Sequence, residues 1–288
     1  MAVVETETHG QILVVRMNRP ERLNALNHEM RLELARIWSA FRTDPGLEVA
    51  ILTGTGRGFC AGEDMKESLA DKSPGGRRID LENPFNDGSL EKPVIAAVSG
   101  FALGGGCELM MHAAKRVASF ESYIGLVEVG VGLIPAGGGL KEAAVRAAAE
   151  AKGNDILQFL KSSFTHAAMA TVSKSAHEAQ KMGYFTQDDV IVFNPYELLH
   201  VAKVEARAMF DAGYRPKLKM PVPVTGRYGM ATIMAQLVNM RDGGFISAHD
   251  FKLGSMIAEV VSGGDIESGS LVSEQWLLDL ERKAFMEL

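Results

Sequence analysis

The chain has 288 residues, a formal net charge of -6 and an apolar fraction of 47%, which suits one large globular domain. Lysine and arginine are scattered along the sequence, whereas a nucleic-acid surface shows as a basic patch or stripe. The opening residues lack the charged start and apolar block of a secretory signal, and no apolar run approaches the ~20 residues of a membrane span. We therefore expect a cytoplasmic protein with neither nucleic acid nor membrane as a partner.

The cysteines and histidines give no sign of a metal site or a disulfide framework. Cys60 and Cys107 are the two cysteines, and their spacing matches no paired metal-ligand motif. The seven histidines are dispersed and form no H-E-x-x-H motif. We expect two buried thiols and a function that uses no metal.

Strand and helix patterns alternate in the first hundred residues. Residues 3 to 17 predict two short strands, and Asn27 is the predicted N-cap of an amphipathic helix. Residues 47 to 53 predict a buried strand that enters the small-residue segment GTGRGFCAGED. The polar composition of residues 67 to 92 predicts a surface loop, and residues 92 to 100 predict another buried strand.

The glycine clusters allow more than one interpretation. GTGRG lacks the following helix and later acidic residue of a dinucleotide site, and no G-x-x-x-x-G-K-[ST] motif is present. The glycines at 104 to 106 fit a tight turn selected for backbone freedom. They also fit an anion site, because free N–H groups and the dipole at a helix start stabilise an oxyanion.

Two glutamates stand in apolar surroundings. Glu108 lies in the first turn of a predicted helix, where loss of hydration should raise its pKa; the alternative is a carboxylate that stabilises the helix dipole. Glu128 lies in the run YIGLVEVGVGLIP with no predicted helix start beside it, and its alternative is an outward-facing position on an edge strand. Together they indicate paired carboxylates that act as acid and base.

Four ordered blocks resemble the signatures of the crotonase, or enoyl-CoA hydratase/isomerase, family. They are RMNRPERLNAL at 16 to 26, GRGFCAGEDMKE at 56 to 67, KPVIAAVSGFALGGGCEL at 92 to 109 and GLIPAGGG at 132 to 139. The resemblance implies an α/β fold with a spiral of β-β-α units over residues 1 to 195. It also implies C-terminal helices over 196 to 288 that assemble a homotrimer or a dimer of trimers. Surplus apolar residues in the first of these helices are expected to face partner chains; they are Leu198, Leu199, Val201 and Ala202.

Site residues follow from the same resemblance. The backbone N–H groups of Glu63 and Gly105 would form an oxyanion hole. Glu108 and Glu128 would add water across the 2-trans double bond of an enoyl-CoA, giving a 3-hydroxyacyl-CoA. Coenzyme A is then part of the substrate, and no separate cofactor is expected. The positions expected to contact the acyl-CoA thioester are Arg22, Ala61, Asp64, Met65, Lys66 and Gly104.

Part of the sequence departs from this pattern. Residues after about 115 resemble the hydratase-like region of long proteins that also carry a 3-hydroxyacyl-CoA dehydrogenase, which suggests a recombined chain. The sequence ends at ERKAFMEL, where related chains continue with a short tail, and we expect an elevated KM. Two alternative functions stay open: an enoyl-CoA isomerase that uses mainly Glu128, and a folded but inactive acyl-CoA-binding scaffold.

Overall fold

A computed structural model describes residues 2–71, 81–216 and 218–288. The chain forms two compact units that interleave in sequence. The first unit comprises Met1–Ile124 and Ser173–Lys217, and the second comprises Gly125–Val172 and Leu218–Leu288. The sequence predicts a boundary at residue 195 between a spiral core and later helices. That boundary stays a prediction. No helix within the described ranges is both long enough and apolar enough to cross a membrane.

A seven-stranded sheet organises the first unit, in the order β1-β2-β3-β5-β6-β7 with β4 paired to β5. The antiparallel pair β1–β2 is followed by parallel pairs β2–β3, β3–β5, β4–β5 and β6–β7. Parallel strands that are buried on both faces read as continuous apolar runs, as the predicted strands do. The strands are β1 (Val4–His9), β2 (Ile12–Met17), β3 (Val49–Gly54), β4 (Gly58–Cys60), β5 (Val94–Leu103), β6 (Lys115–Gly125) and β7 (Val190–Val192).

Ten α-helices occur in the described part of the chain. The second unit is mainly helical and adds a short antiparallel pair, β8 (Val222–Pro223) and β9 (Leu271–Val272). The helices are α1 (His28–Thr43), α2 (Met65–Ala70), α3 (Gly105–His112), α4 (Gly139–Ala151), α5 (Ile156–Ala168), α6 (Ala176–Lys181), α7 (Leu198–Asp211), α8 (Gly226–Asp242), α9 (Ala248–Ser262) and α10 (Glu274–Met286). The described residues also form 3-10 helices at Pro20–Arg22, Glu128–Val131 and Pro195–Glu197.

The local predictions for the N-terminal elements are confirmed. The two strands before residue 17 are β1 and β2, and the buried strands predicted at 47 to 53 and 92 to 100 are β3 and β5. The Asn27 side chain accepts a hydrogen bond of 3.0 Å from the N–H of Met30 and begins α1. The loop predicted over 67 to 92 is wrong at its start, because α2 continues to Ala70; residues 72 to 80 lie outside the described residues.

The apolar residues of α7 pack within the first unit, whereas the sequence analysis expected them to face partner chains. Leu198 and Ala202 are buried in the core of the first unit with residues of β2, β3 and β5, and Leu199 and Val201 pack against the same core. The helix therefore covers one face of the sheet, and its apolar surface is used within the unit. The expected reason for oligomerisation is wrong, although the oligomeric state itself stays a prediction.

Candidate active site

One side of the candidate site is the turn from β5 into α3. Gly104 has φ 51° and ψ -126°, a conformation that glycine adopts without steric cost. Its carbonyl accepts the first helical hydrogen bond from the N–H of Glu108 at 3.0 Å. Because C=O and N–H of a trans peptide point in opposite directions, the N–H of Gly105 points out of the helix start.

The opposite side is the turn from β4 into α2. Gly62 has φ 95°, and its carbonyl accepts a hydrogen bond of 2.7 Å from the N–H of Leu26. The N–H of Glu63 belongs to the same peptide plane and therefore points away from Leu26. Leu26 and Glu63 form an isolated parallel bridge, which fixes the direction of this donor.

The two turns approach each other closely. A Cβ atom on Gly62 would lie 2.8 Å from the carbonyl oxygen of Leu103 and 3.5 Å from the nitrogen of Gly105. Within residues 2–71, 81–216 and 218–288, neither the Glu63 N–H nor the Gly105 N–H donates to a protein acceptor. Two neighbouring backbone donors that lack protein acceptors have the composition of an oxyanion hole. The structure thus brings together the two residues predicted for this role.

Glycine is required where β4 and α3 are packed most tightly. A Cβ atom on Gly106 would overlap the carbonyl oxygen of Cys60, so a larger residue would separate the strand from the helix. Burial raises the pKa of the Cys60 thiol to about 12, and Cys107 is also fully buried. The two thiols therefore pack as small apolar groups, as predicted.

Asn24 holds the connection between β3 and β4 and is a residue that the sequence analysis missed. It is fully buried with φ 57°, and asparagine tolerates the left-handed region better than most residues. Its side chain donates to the carbonyls of Thr55 at 2.9 Å and Gly58 at 2.8 Å, and it accepts from the N–H of Arg19 at 2.8 Å. Its place in the RMNRPERLNAL block was the available signal.

Asp64 has a structural partner that the sequence did not reveal. Its carboxylate accepts a hydrogen bond of 2.8 Å from Arg19 and caps the N-terminus of α2 at the N–H of Glu67. The hydrogen bond from Arg19 lowers the pKa of Asp64 below its usual range. The carboxylate is thus engaged within the protein, and a contact from Asp64 to substrate stays a prediction.

The side chain of Glu63 is held in place, although its predicted role involves only its backbone. It forms an ion pair with Arg31 of α1 and accepts a hydrogen bond of 2.8 Å from the hydroxyl of Ser68 in α2. Both charged side chains of the pair are well exposed, so solvent screens their attraction. These two contacts tie Glu63, whose backbone N–H is a predicted oxyanion donor, to α1 and α2.

Glu108 lies in the first turn of α3, as predicted. It is 7% exposed and lies three residues after Gly105, among the buried side chains of Cys107, Leu109 and Met110. A carboxylate with this little exposure has lost most of its hydration. Glu108 therefore combines burial with a position three residues after the Gly105 N–H at the same helix start.

Glu128 belongs to the second unit and begins a 3-10 helix, Glu128–Val131. The expectation that no helix starts beside it is wrong, and so is the edge-strand alternative, because β6 has already ended at Gly125. The Glu128 carbonyl accepts from the N–H of Leu133 at 3.0 Å. The His249 ring lies against this turn, with Nε2 3.0 Å from the carbonyl oxygen of Gly132. The turn around Glu128 is therefore fixed by contacts within its own unit.

The remaining predicted residues differ in exposure. Gly104 is buried, Ala61 and Met65 are half-buried, and Lys66 and Arg22 are exposed. All five belong to the first unit, together with both predicted oxyanion donors and Glu108. Their roles in binding an acyl-CoA stay predictions. In the described ranges, no three His, Cys, Asp or Glu side chains are grouped as metal ligands.

The chain matches the sequence model of a known family and is similar to several known proteins. The sequence model described as enoyl-CoA hydratase/isomerase matches residues 7–187. A probable 3-hydroxyacyl-CoA dehydrogenase of Bacillus subtilis is 36% identical over 253 residues, which is 85% of this chain and 32% of that protein. A short-chain-enoyl-CoA hydratase of Clostridium acetobutylicum is 42% identical over 137 residues, 46% of this chain and 52% of that protein. The chain thus spans 32% of the length of the first of these relatives and 52% of the second.

Solved structures share the fold. The crystal structure of an enoyl-CoA hydratase from Mycobacterium tuberculosis matches with a TM-score of 0.61 and 28% sequence identity, over 89% of each chain. An enoyl-CoA hydratase from Mycobacterium marinum matches with a TM-score of 0.59 and 27% identity, also over 89% of each chain. The predicted α/β architecture is therefore confirmed, whereas the hypothesis of a recombined chain stays a prediction.

Proposed function

Because the chain belongs to the enoyl-CoA hydratase/isomerase family and has its crotonase-type fold, we propose that it is an enoyl-CoA hydratase. It would add water across the 2-trans double bond of an enoyl-CoA thioester and give a 3-hydroxyacyl-CoA. The observation that carries the proposal is the pair of neighbouring backbone donors, the N–H groups of Glu63 and Gly105. Relatives named as enoyl-CoA hydratases support the same reaction.

The backbone donors account for the charge that develops during the reaction. When a hydroxide equivalent bonds to C3, the electron pair of the double bond moves to C2 and is delocalised onto the thioester oxygen. Two N–H groups aimed at that oxygen stabilise the enolate-like charge, by about 3 kcal/mol for each donor. Both peptides are already hydrogen-bonded at their carbonyls, Gly62 to Leu26 and Gly104 to Glu108. This holds the donors in direction and polarises them further.

The two glutamate carboxylates would carry out the proton transfers of the reaction. One glutamate would take a proton from water as its oxygen attacks C3, and the other, protonated, would deliver its proton to C2. Transfer of the proton taken from water to the second carboxylate would then restore both groups, so that one water is consumed. Glu108 and Glu128 are the candidates, and buried or half-buried carboxylates are suited to this work because their pKa values respond to their surroundings. Coenzyme A would be the carrier part of the substrate, with no separate cofactor.

The deciding experiment follows crotonyl-CoA in water labelled with 18O and in D2O. A hydratase consumes the enoyl absorbance, places the labelled oxygen at C3 and incorporates deuterium at C2. An isomerase moves the double bond of a 3-enoyl-CoA and incorporates no oxygen. Acyl-CoA binding in calorimetry without either reaction would support the inactive scaffold and overturn the proposal.

Assembly and location complete the proposal. A homotrimer or a dimer of trimers is supported by the resemblance and by exposed aromatic residues in the first unit. Phe193 is 79% exposed and stacks on Phe120, and Tyr196 is 95% exposed; apolar groups left this open often mark contacts between chains. Sedimentation equilibrium at the monomer mass of 31.1 kDa would contradict the assembly. Cell fractionation would test the proposed cytoplasmic location.

A further inference from the structure

We propose that Arg19 is a positioning residue for the oxyanion hole, which acts through Asp64 on the peptide that carries the Glu63 N–H. The inference rests on the proposed hydratase function and adds to it a residue that has no predicted role in the reaction. Arg19 lies in the loop between β2 and α1, directly before the 3-10 helix Pro20–Arg22.

The guanidinium of Arg19 joins two backbone segments. One nitrogen donates to the carbonyl of Ala25 at 2.6 Å, and another donates to the carboxylate of Asp64 at 2.8 Å. The side chains of the pair are only 15% and 12% exposed. Such a pair is screened less than the exposed pair of Arg31 and Glu63. The planar guanidinium also sets the direction of each bond, which a flexible ammonium group would not do.

Asp64 transmits this constraint to the oxyanion donor. Its N–H donates to the carbonyl of Leu26 at 3.0 Å, and the N–H of Leu26 donates to the carbonyl of Gly62 at 2.7 Å. The peptides before and after Glu63 are therefore both fixed. The ion pair with Arg19 holds the next residue along the chain. Without Arg19 the shielded Asp64 carboxylate would turn toward water and rotate these peptides.

A small rotation is enough to matter for the reaction. An oxyanion donor acts because it is aimed beforehand at the place where charge develops, and its complete removal costs about 100-fold or more in kcat. A displacement of the donor by a fraction of an ångström costs less than its removal, and we expect kcat to fall about tenfold. Substrate binding should change less, because the ground-state thioester carries less charge on its oxygen than the enolate does.

The test compares Arg19→Met with a matched control, Arg16→Met. Arg16 forms an ion pair of similar length, 2.8 Å, with Glu7 across β1 and β2. Crotonyl-CoA hydration gives kcat and KM, and difference infrared spectroscopy gives the C=O stretch of the bound thioester. For Arg19→Met we expect kcat to fall about tenfold, KM to stay within about threefold, and the C=O band to move toward its frequency in water. Arg16→Met should match the parent in kcat, KM and the C=O band. Arg19→Lys should lie between the parent and Arg19→Met in kcat and band position.

The outcomes separate the two proposals. A parent protein that neither hydrates crotonyl-CoA nor shifts the C=O band would overturn the proposed function. With an active parent, an Arg19→Met variant that keeps its kcat, or that loses kcat with an unshifted band, would overturn the positioning role alone. If Arg19→Met does not fold, Asp64→Asn replaces it, because asparagine also caps a helix but lacks the charge. In the Asp64→Asn variant the C=O band of the bound thioester should also move toward its frequency in water. A C=O band that stays at the parent frequency would refute the inference.

Discussion

The carboxylate of Glu281 accepts a hydrogen bond of 2.8 Å from the backbone N–H of Gly138, 143 positions earlier in the sequence. Its other oxygen accepts a hydrogen bond of 2.6 Å from the N–H of Lys141. Glu281 is fully buried in α10. It therefore places a carboxylate at the start of α4, where N–H groups without a helical acceptor need another one and the dipole favours an acidic group.

This arrangement predicts a large effect on stability. Glu281→Ala should lower the free energy of unfolding by at least about 2 kcal/mol, because two buried N–H groups lose their acceptor. Urea unfolding of parent and variant measures the difference. Asp279→Ala on the same helix is the control, since Asp279 accepts a hydrogen bond of 2.9 Å from the exposed side chain of Gln275. Equal destabilisation by the two variants would contradict the role assigned to Glu281.

The carboxylate pair gives the prediction most directly tied to the chemistry. Glu→Gln keeps the shape of the side chain and removes its ability to accept a proton. Glu108→Gln and Glu128→Gln should each lower kcat by about 100-fold or more while acyl-CoA affinity stays within a few fold. The double variant should be little worse than either single one, because groups that act as a unit are not additive. Steady-state hydration of crotonyl-CoA measures this.

The alternatives give different patterns in the same assay. An isomerase that relies on Glu128 predicts a mild effect of Glu108→Gln and a severe effect of Glu128→Gln. If both single variants hydrate at the parent rate, the two glutamates are structural and the assignment of the site is wrong.

The contact between β4 and α3 predicts a steric effect. Gly106→Ala should abolish hydration or prevent folding, because its methyl group would overlap the carbonyl oxygen of Cys60 and push the helix start away from the strand. Gly58→Ala is the matched control, because Gly58 lies in β4, the strand that Gly106 contacts, and its added carbon would lie 3.6 Å from Phe101, an ordinary contact. The turnover rate and the thermal midpoint of unfolding of both variants test this prediction. A Gly106→Ala protein with normal activity would contradict the packing described.

The ion pair of Arg19 and Asp64 predicts a pH dependence of stability. The hydrogen bond from Arg19 lowers the folded-state pKa of Asp64, so the pair stabilises the fold above the usual aspartate pKa of about 3.9. This contribution is lost as the pH falls through the lowered folded-state pKa. The difference in unfolding free energy between parent and Arg19→Met should therefore be greatest near neutral pH and narrow below about pH 4.

Urea unfolding at pH 7 and in acid measures this narrowing. Arg16→Met provides the comparison with an ion pair of similar length elsewhere in the first unit. A difference between parent and Arg19→Met that stays constant down to pH 2 would show that the charge of Asp64 is irrelevant to stability.

Local features were determined by the sequence alone. The strands before residue 17 and the cap at Asn27 follow from nearby residues, because alternation and capping act within a few positions. The helix start before Glu108 was likewise predicted, since a glycine cluster before an apolar run marks a strand-to-helix turn. The resemblance of four blocks supplied the predicted oxyanion donors, Glu63 and Gly105, which residue types alone do not identify because only their backbone would take part.

Long-range contacts were decided by the tertiary structure. The bond between Glu281 and Gly138 and the ion pair between Arg19 and Asp64 join residues far apart in sequence, and no periodic pattern encodes such a pairing. The apolar face of α7 was correctly recognised, but what covers it depends on which surface the folded chain brings near. That surface is the sheet of the same unit. The periodicity of apolar residues shows that one face of a helix must be buried. Only the packing of the whole chain determines which surface covers that face.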